Sequence, residues 1–160
     1  MQNSPKNREW LVSFNGDLSQ IASDIISAIG VGPCFIELHG AMGAGKTTLA
    51  HALLGAAQIS GKFLGSPTFP ILHRYSLQGS PGVAFHLDLY RVTGDEELFD
   101  RGVVESVWLE PSLLLVEWAM HAPRFRSGLM GDLYRGRSYL LTLEVTESAS
   151  RRITLSPLGL

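Results

Sequence analysis

Cysteine is nearly missing from this chain. Cys34 is its single thiol, so no internal disulfide can form and no thiolate zinc cluster can be built within it. Long apolar runs are missing too: none approaches the ~18–20 residues that cross a bilayer. The opening MQNSPKNREW is too polar for the hydrophobic region of a secretory signal. Together these absences predict a soluble, cytoplasmic protein that does not enter a membrane. Neither sign of charge dominates, since 13 Lys+Arg stand against 15 Asp+Glu for a net charge of −2. No global basic field is therefore present to hold nucleic acid by charge alone. Internal repeats and low-complexity runs are absent as well.

What remains is the composition of a folding chain: 45% hydrophobic and 18% charged residues over 160 positions. That is enough to bury a core, and the length suits one domain, since domains cluster near roughly 100–150 residues. Residues 1–9 are polar and read as a loose N-terminal arm on a single domain spanning 1–160. Apolar residues at 18, 21, 22, 25, 26 and 29 have helical spacing, with Asp17 or Ser19 as a cap and Gly30 as a stop. Residues 33–39 read as a short buried strand and 47–57 as a helix. Strands are expected at 83–89 and 113–118, and a helix with an acidic first turn at 95–101. Residues 139–147 alternate as a strand and pair with 153–155 across a turn. The stretch 121–138, with Pro, Gly and four arginines, reads as a long exposed loop. The fold class predicted is α/β and P-loop NTPase-like: a mostly parallel central sheet flanked by helices, with an antiparallel C-terminal hairpin.

The residues that carry chemistry lie between the first predicted strand and the helix at 47–57. Residues 40–47 read GAMGAGKT, matching G-x-x-x-x-G-K-[ST] at every fixed position. Phosphate oxygens must come close to backbone N–H groups, so Gly40, Gly43 and Gly45 remove obstructing Cβ atoms and permit positive φ. The helix opening there aims free N–H groups and its positive dipole end at an anion. Lys46 supplies a point charge for the outer phosphates, and the Thr47 hydroxyl can ligate Mg²⁺. Such a loop needs an acid at the end of a neighbouring strand, and two qualify, Asp88 after VAFHL and Glu117 after LLLV. Spacing leaves open which takes the metal and which orients an attacking water.

Weaker features surround these. In Ser66-Pro67-Thr68-Phe69, Thr68 can reach a terminal phosphate or simply sit in a rigid turn. Arg124, Arg126, Arg135 and Arg137 form either a lid over a transferring phosphate or a solvated face. His86 reads as a satisfied core or edge histidine, and Trp118 as a base-stacking or core residue. No Asn/Thr-Lys-x-Asp or D-x-x-G motif occurs, which favours ATP over GTP. The motif fixes nucleotide binding and leaves the acceptor open. Water gives an ATPase, a metabolite hydroxyl gives a small-molecule kinase, and no turnover gives a nucleotide-gated binding module.

GAMGAGKTTLA, SPTF, FHLDLYRVTGDEELFDRGVVE and LLVEW, in this order, resemble the TsaE (formerly YjeE) family, bacterial P-loop ATPases of tRNA threonylcarbamoyladenosine formation. The resemblance covers about residues 33–120. It implies that Lys46 and the backbone of Gly43, Ala44, Gly45, Lys46, Thr47 and Thr48 hold the phosphates of ATP. Thr47 and Glu117 would bind Mg²⁺, Asp88 would act in hydrolysis, and Thr68 would lie in a switch-like loop. Asp17 and Arg151 would touch the nucleotide. The implied partners are the TsaD–TsaB heterodimer, with tRNA met through that complex. The chain departs from the family pattern at Ala41, Pro70 and His73-Arg74, none of them an implied phosphate or metal ligand.

Overall fold

The central strand is buried without alternation over its first five residues, and that fixes the layering. In the computed structural model, which describes residues 7–60 and 71–159, strand β2 (Cys34–Gly40) buries every residue from Cys34 to Leu38. A strand covered on both faces has no solvent side to be polar on. Cys34, Ile36 and Leu38 join a core formed with helices α1 (Ser19–Ile29) and α2 (Lys46–Ala56). Phe35 joins a second core on the opposite face.

Seven strands form one sheet: β1 (Arg8–Ser13), β2, β3 (Leu72–Ser76), β4 (Val83–Asp88), β5 (Leu113–Glu117), β6 (Ser138–Val145) and β7 (Ser150–Pro157). Their spatial order is β1-β7-β6-β2-β5-β4-β3. Pairing is parallel through β6-β2-β5-β4 and antiparallel at both margins. This is the α/β architecture expected, with the C-terminal hairpin in place as β6 and β7. Short helices α3 (Asp95–Asp100), α4 (Val103–Leu109) and α5 (Pro123–Gly128) contribute to the second core through Leu98, Val103, Val107 and Phe125. Among the described residues, no helix is long and apolar enough to cross a membrane.

Two expectations fail. Arg8 and Glu9, assigned to a loose arm, belong to edge strand β1, where Trp10 and Val12 pack against the first core. The larger correction concerns 121–138, which is not an exposed loop. A 3-10 turn at Ala119–His121, α5 and a π-helical turn at Leu129–Leu133 bury Phe125, Leu129, Met130 and Tyr134. Pro123 at the first helical position needs no N–H partner, and Asp95 Oδ1 accepts from Phe125 N at 2.8 Å, tying α5 to α3.

Three of the four arginines of this stretch have internal partners, which removes most of the supposed lid. Arg126 Nε donates to Glu37 Oε2 at 2.7 Å, neutralising a carboxylate that lies only 4% exposed in the middle of β2. Arg137 donates to the carbonyls of Ile29, Gly30, Val31, Gly32 and Pro33 at 2.9–3.4 Å. It thus satisfies the carbonyls at and beyond the end of α1, as a cation at a helix C-terminus does. Arg135 Nε donates to Gly131 O.

Cys34 is 1% exposed, and burial pushes its thiol up to about 12, against a smaller opposing pull from the Arg137 charge. At pH 8 it is therefore expected to resist a thiol reagent while the protein is folded and to react fully in denaturant. Because the folded pKa is raised, stability is complete below the unfolded thiol pKa and falls as pH rises from there toward the folded value. Denaturation midpoints on either side of pH 9 check the sign, and rapid labelling of native protein would contradict the burial.

Candidate functional site

Parallel pairing puts the carboxyl ends of β2, β5 and β4 side by side on one edge of the sheet, where open α/β sheets bind ligands. Glu117 stands in register between Leu38 of β2 and Asp88 of β4. Side chains two apart on a strand share a face, so Ala84, His86 and Asp88 point the same way on β4, as do Leu113, Leu115 and Glu117 on β5. Ala84, Leu113 and Leu115 identify this face, since all three lie in the core formed with α1 and α2. The acids therefore face the helix that the glycine-rich turn opens.

That turn follows β2 directly. Gly43 and Gly45 have φ of 80° and 101°, values that favour glycine. Gly45 is the cap residue from which α2 starts at Lys46. A Cβ on Gly45 would run into the Arg151 guanidinium. Arg151 is buried, with Nε unpartnered among the described residues. Its Nη2 donates to Phe14 O, and its guanidinium lies over the Phe14 ring at 5.2 Å. The structure thus sets Arg151 against the turn. Asp17 is placed differently: its Oδ1 accepts from Ser19 N and Ser19 Oγ at 2.9 and 2.6 Å, bonds that hold its carboxyl below the usual range. It opens α1 and does not line the cleft around Lys46. Ala44 is buried against the first core, while Thr48 lines the cleft.

Lys46 is 4% exposed. Its Nζ donates to Gly40 O at 2.8 Å and Ala41 O at 3.0 Å, and sits 4.4 Å from the centre of the Trp118 ring. Burial lowers its pKa, opposed by the Glu117 and Asp88 carboxylates. Thr47 Oγ1 donates to Glu117, 2.9 Å from Oε1 and 3.0 Å from Oε2. Asp88 accepts from Tyr90 N at 3.0 Å, which leaves lone pairs for another donor. Trp118 has φ of 59°, ending β5 one residue earlier than expected and turning its ring toward Tyr90 and His121, at 5.1 and 5.6 Å. Thr68 and Pro70 lie outside the described residues.

Sequence reasoning undervalued His86. Its Nε2 lies 2.8 Å from Glu117 Oε1, with the rings of His51 and His73 close by. Burial lowers the pKa of both neighbours. The signal available was the H-x-D spacing, which places His86 and Asp88 on one face.

The donor set suits a nucleotide with a divalent cation. Gly43 and Gly45, both at positive φ, line the cleft with the buried cation of Lys46, and a hydroxyl and a carboxylate, oxygen ligands of the kind Mg²⁺ takes, are already in contact.

Comparison with known proteins agrees in family and fold. The family model described as "Threonylcarbamoyl adenosine biosynthesis protein TsaE" matches residues 12–153. The tRNA threonylcarbamoyladenosine biosynthesis protein TsaE of Haemophilus influenzae is 34% identical over 84 residues, 52% of this chain and 51% of that protein. Its namesake from Nostoc sp. is 30% identical over 125 residues, covering 76% of this chain and 69% of that one. For Aquifex aeolicus the figures are 31% over 106 residues, 64% and 77%. The match to the Haemophilus protein thus spans about half of that relative's length. Among solved structures, Bacillus subtilis YdiB superposes with a TM-score of 0.59 at 22% identity, covering 96% of this chain and 87% of that one, a likeness of fold.

Gly45→Ala forces an alanine into positive φ and against Arg151. A loss of about 1–3 kcal/mol in stability is expected, together with weakened nucleotide binding; thermal melts and a nucleotide titration read the two effects separately. Full stability in this variant would contradict the backbone geometry assigned to the turn.

Proposed function

The chain belongs to the TsaE family of threonylcarbamoyl adenosine biosynthesis proteins, and from that premise we propose that it is a Mg²⁺-dependent ATPase serving the threonylcarbamoyladenosine modification of tRNA in the cytoplasm. The observation that carries this reading is the contact of Thr47 with both carboxylate oxygens of Glu117. It joins the phosphate-binding turn to a buried strand-end acid, the pairing that P-loop hydrolases use for their metal. The partners proposed are the TsaD–TsaB pair, with tRNA met through that complex. The internal engagement of Arg126, Arg135 and Arg137 weighs against the small-molecule kinase.

In this reading the turn's N–H groups bind the phosphates of ATP. Lys46 exchanges its carbonyl partners for phosphate oxygens, and Thr47 and Glu117 hold the cation. Bound Mg²⁺ supplies neutralisation of the charge that develops as the terminal phosphoryl group is lost. Asp88, beside Glu117 and with lone pairs to spare, accepts a hydrogen bond from the attacking water and orients it in line with the bond that breaks. Arg151 and the Phe14 ring border the turn and steady its backbone.

ATP hydrolysis in the presence of Mg²⁺, with and without a purified TsaD–TsaB pair, tests this reading. Stimulation by the pair is expected. Asp88→Ala should keep ATP affinity and lose on the order of 100-fold in rate, while Lys46→Ala should lose binding itself. Absence of turnover both alone and with the pair would defeat the ATPase reading, and undiminished ATP affinity in Lys46→Ala would defeat the phosphate-site assignment.

A further inference from the structure

Glu117 is held from two sides, and one holder lies outside the phosphate-binding motif. Its carboxylate is bonded to Thr47 Oγ1 and His86 Nε2 among the described residues. The threonine hydroxyl has one proton, so its contacts of 2.9 and 3.0 Å share a single donor. That donor also belongs to the group that would take the cation. His86 is different: it does not line the cleft, and it reaches Glu117 Oε1 from within the core, the two side chains being 5% and 3% exposed. An ionised carboxylate only accepts, so the imidazole donates through Nε2.

The ring of His86 is itself fixed. His51, one turn after Thr47 on α2, meets it edge-on with centroids 5.8 Å apart. His73 on β3 stands opposite it in register, with its ring 6.3 Å away. Three elements therefore converge on one imidazole, and that imidazole fixes one oxygen of the acid. A buried carboxylate deprived of such a partner is both costly and free to rotate.

We infer that His86 is a positioning residue: its hydrogen bond orients the Glu117 carboxylate toward Thr47 and thereby sets the divalent-cation affinity of the nucleotide site. It touches neither nucleotide nor cation. This inference rests on the Mg²⁺–nucleotide reading of the cleft, and its experiment separates the two.

Cation affinity is measured calorimetrically by titrating Mg²⁺ into the full chain preloaded with ATP, and ATP affinity is measured separately in EDTA. His86→Leu is expected to bind Mg²⁺ about 10-fold more weakly or worse, with ATP affinity in EDTA unchanged. His86→Gln, which keeps an N–H donor at a similar reach, should recover most of the loss. Equal Mg²⁺ affinity in wild type and His86→Leu overturns the inference and leaves the proposed function standing. So does failure of the glutamine variant to recover, or a matching loss of ATP affinity in EDTA, since either marks a structural role. Wild-type protein that binds ATP with no measurable Mg²⁺ affinity overturns both.

Discussion

Parallel register among β2, β5 and β4 is the constraint on which the site depends. Glu117 stands opposite Leu38 on one side and Asp88 on the other. The turn that begins at Gly40 therefore emerges two residues beyond the level of both acids. A slip of one residue in β5 would turn Glu117 to the other face and bring Val116 toward α2. Apolar burial prevents that slip: Leu113 and Leu115 fill the core beneath α1 and α2, while Leu114 and Val116 fill the opposite one. Hydrophobic packing, with no direction of its own, thus acquires direction through the two-residue period of the strand.

Most buried polar groups in and beside this sheet are paired. Glu37 meets Arg126, Glu117 meets His86 and Thr47, and Ser112 meets the Tyr134 hydroxyl at 3.0 Å. The low-dielectric interior favours such pairing, and His73 Nδ1 and Arg151 Nε stand outside it among the described residues. Lys46 is also paired, but through backbone carbonyls and a ring face. The pairs therefore differ in kind: Arg126 is locked to one carboxylate, whereas the lysine's direct partners are neutral.

Much of this was legible from the chain. The glycine-rich turn between β2 and α2 was legible because its motif fixes residue types at set positions, so its spacing is nearly self-declaring. The inner strands were legible because burial on both faces demands continuous apolar runs. The margins were not. β1 and β3 need apolar residues on one face only, and a five-residue strand such as LHRYS offers too few to set a period. The segment after β5 was misread for another reason: its buried residues, Phe125, Leu129, Met130 and Tyr134, follow a spacing stretched by the π-helical turn at Leu129–Leu133. A template of 3.6 residues does not find them, and the surrounding arginines mimic a solvated loop. The pairings of His86 and Glu37 were not legible for a third reason, that each is made with a partner 31 or 89 residues away.

The Arg137 clamp bears on time as well as on stability. It fastens residue 137 to carbonyls at 29–33 across more than 100 positions of sequence. Contacts at such separation form only after a large loop has closed, so they belong to the late stages of folding. An interaction absent from the folding transition state leaves the folding rate nearly untouched and slows unfolding. In a chain with a single cysteine, this guanidinium takes over part of what a crosslink does elsewhere: it lengthens the lifetime of the native state.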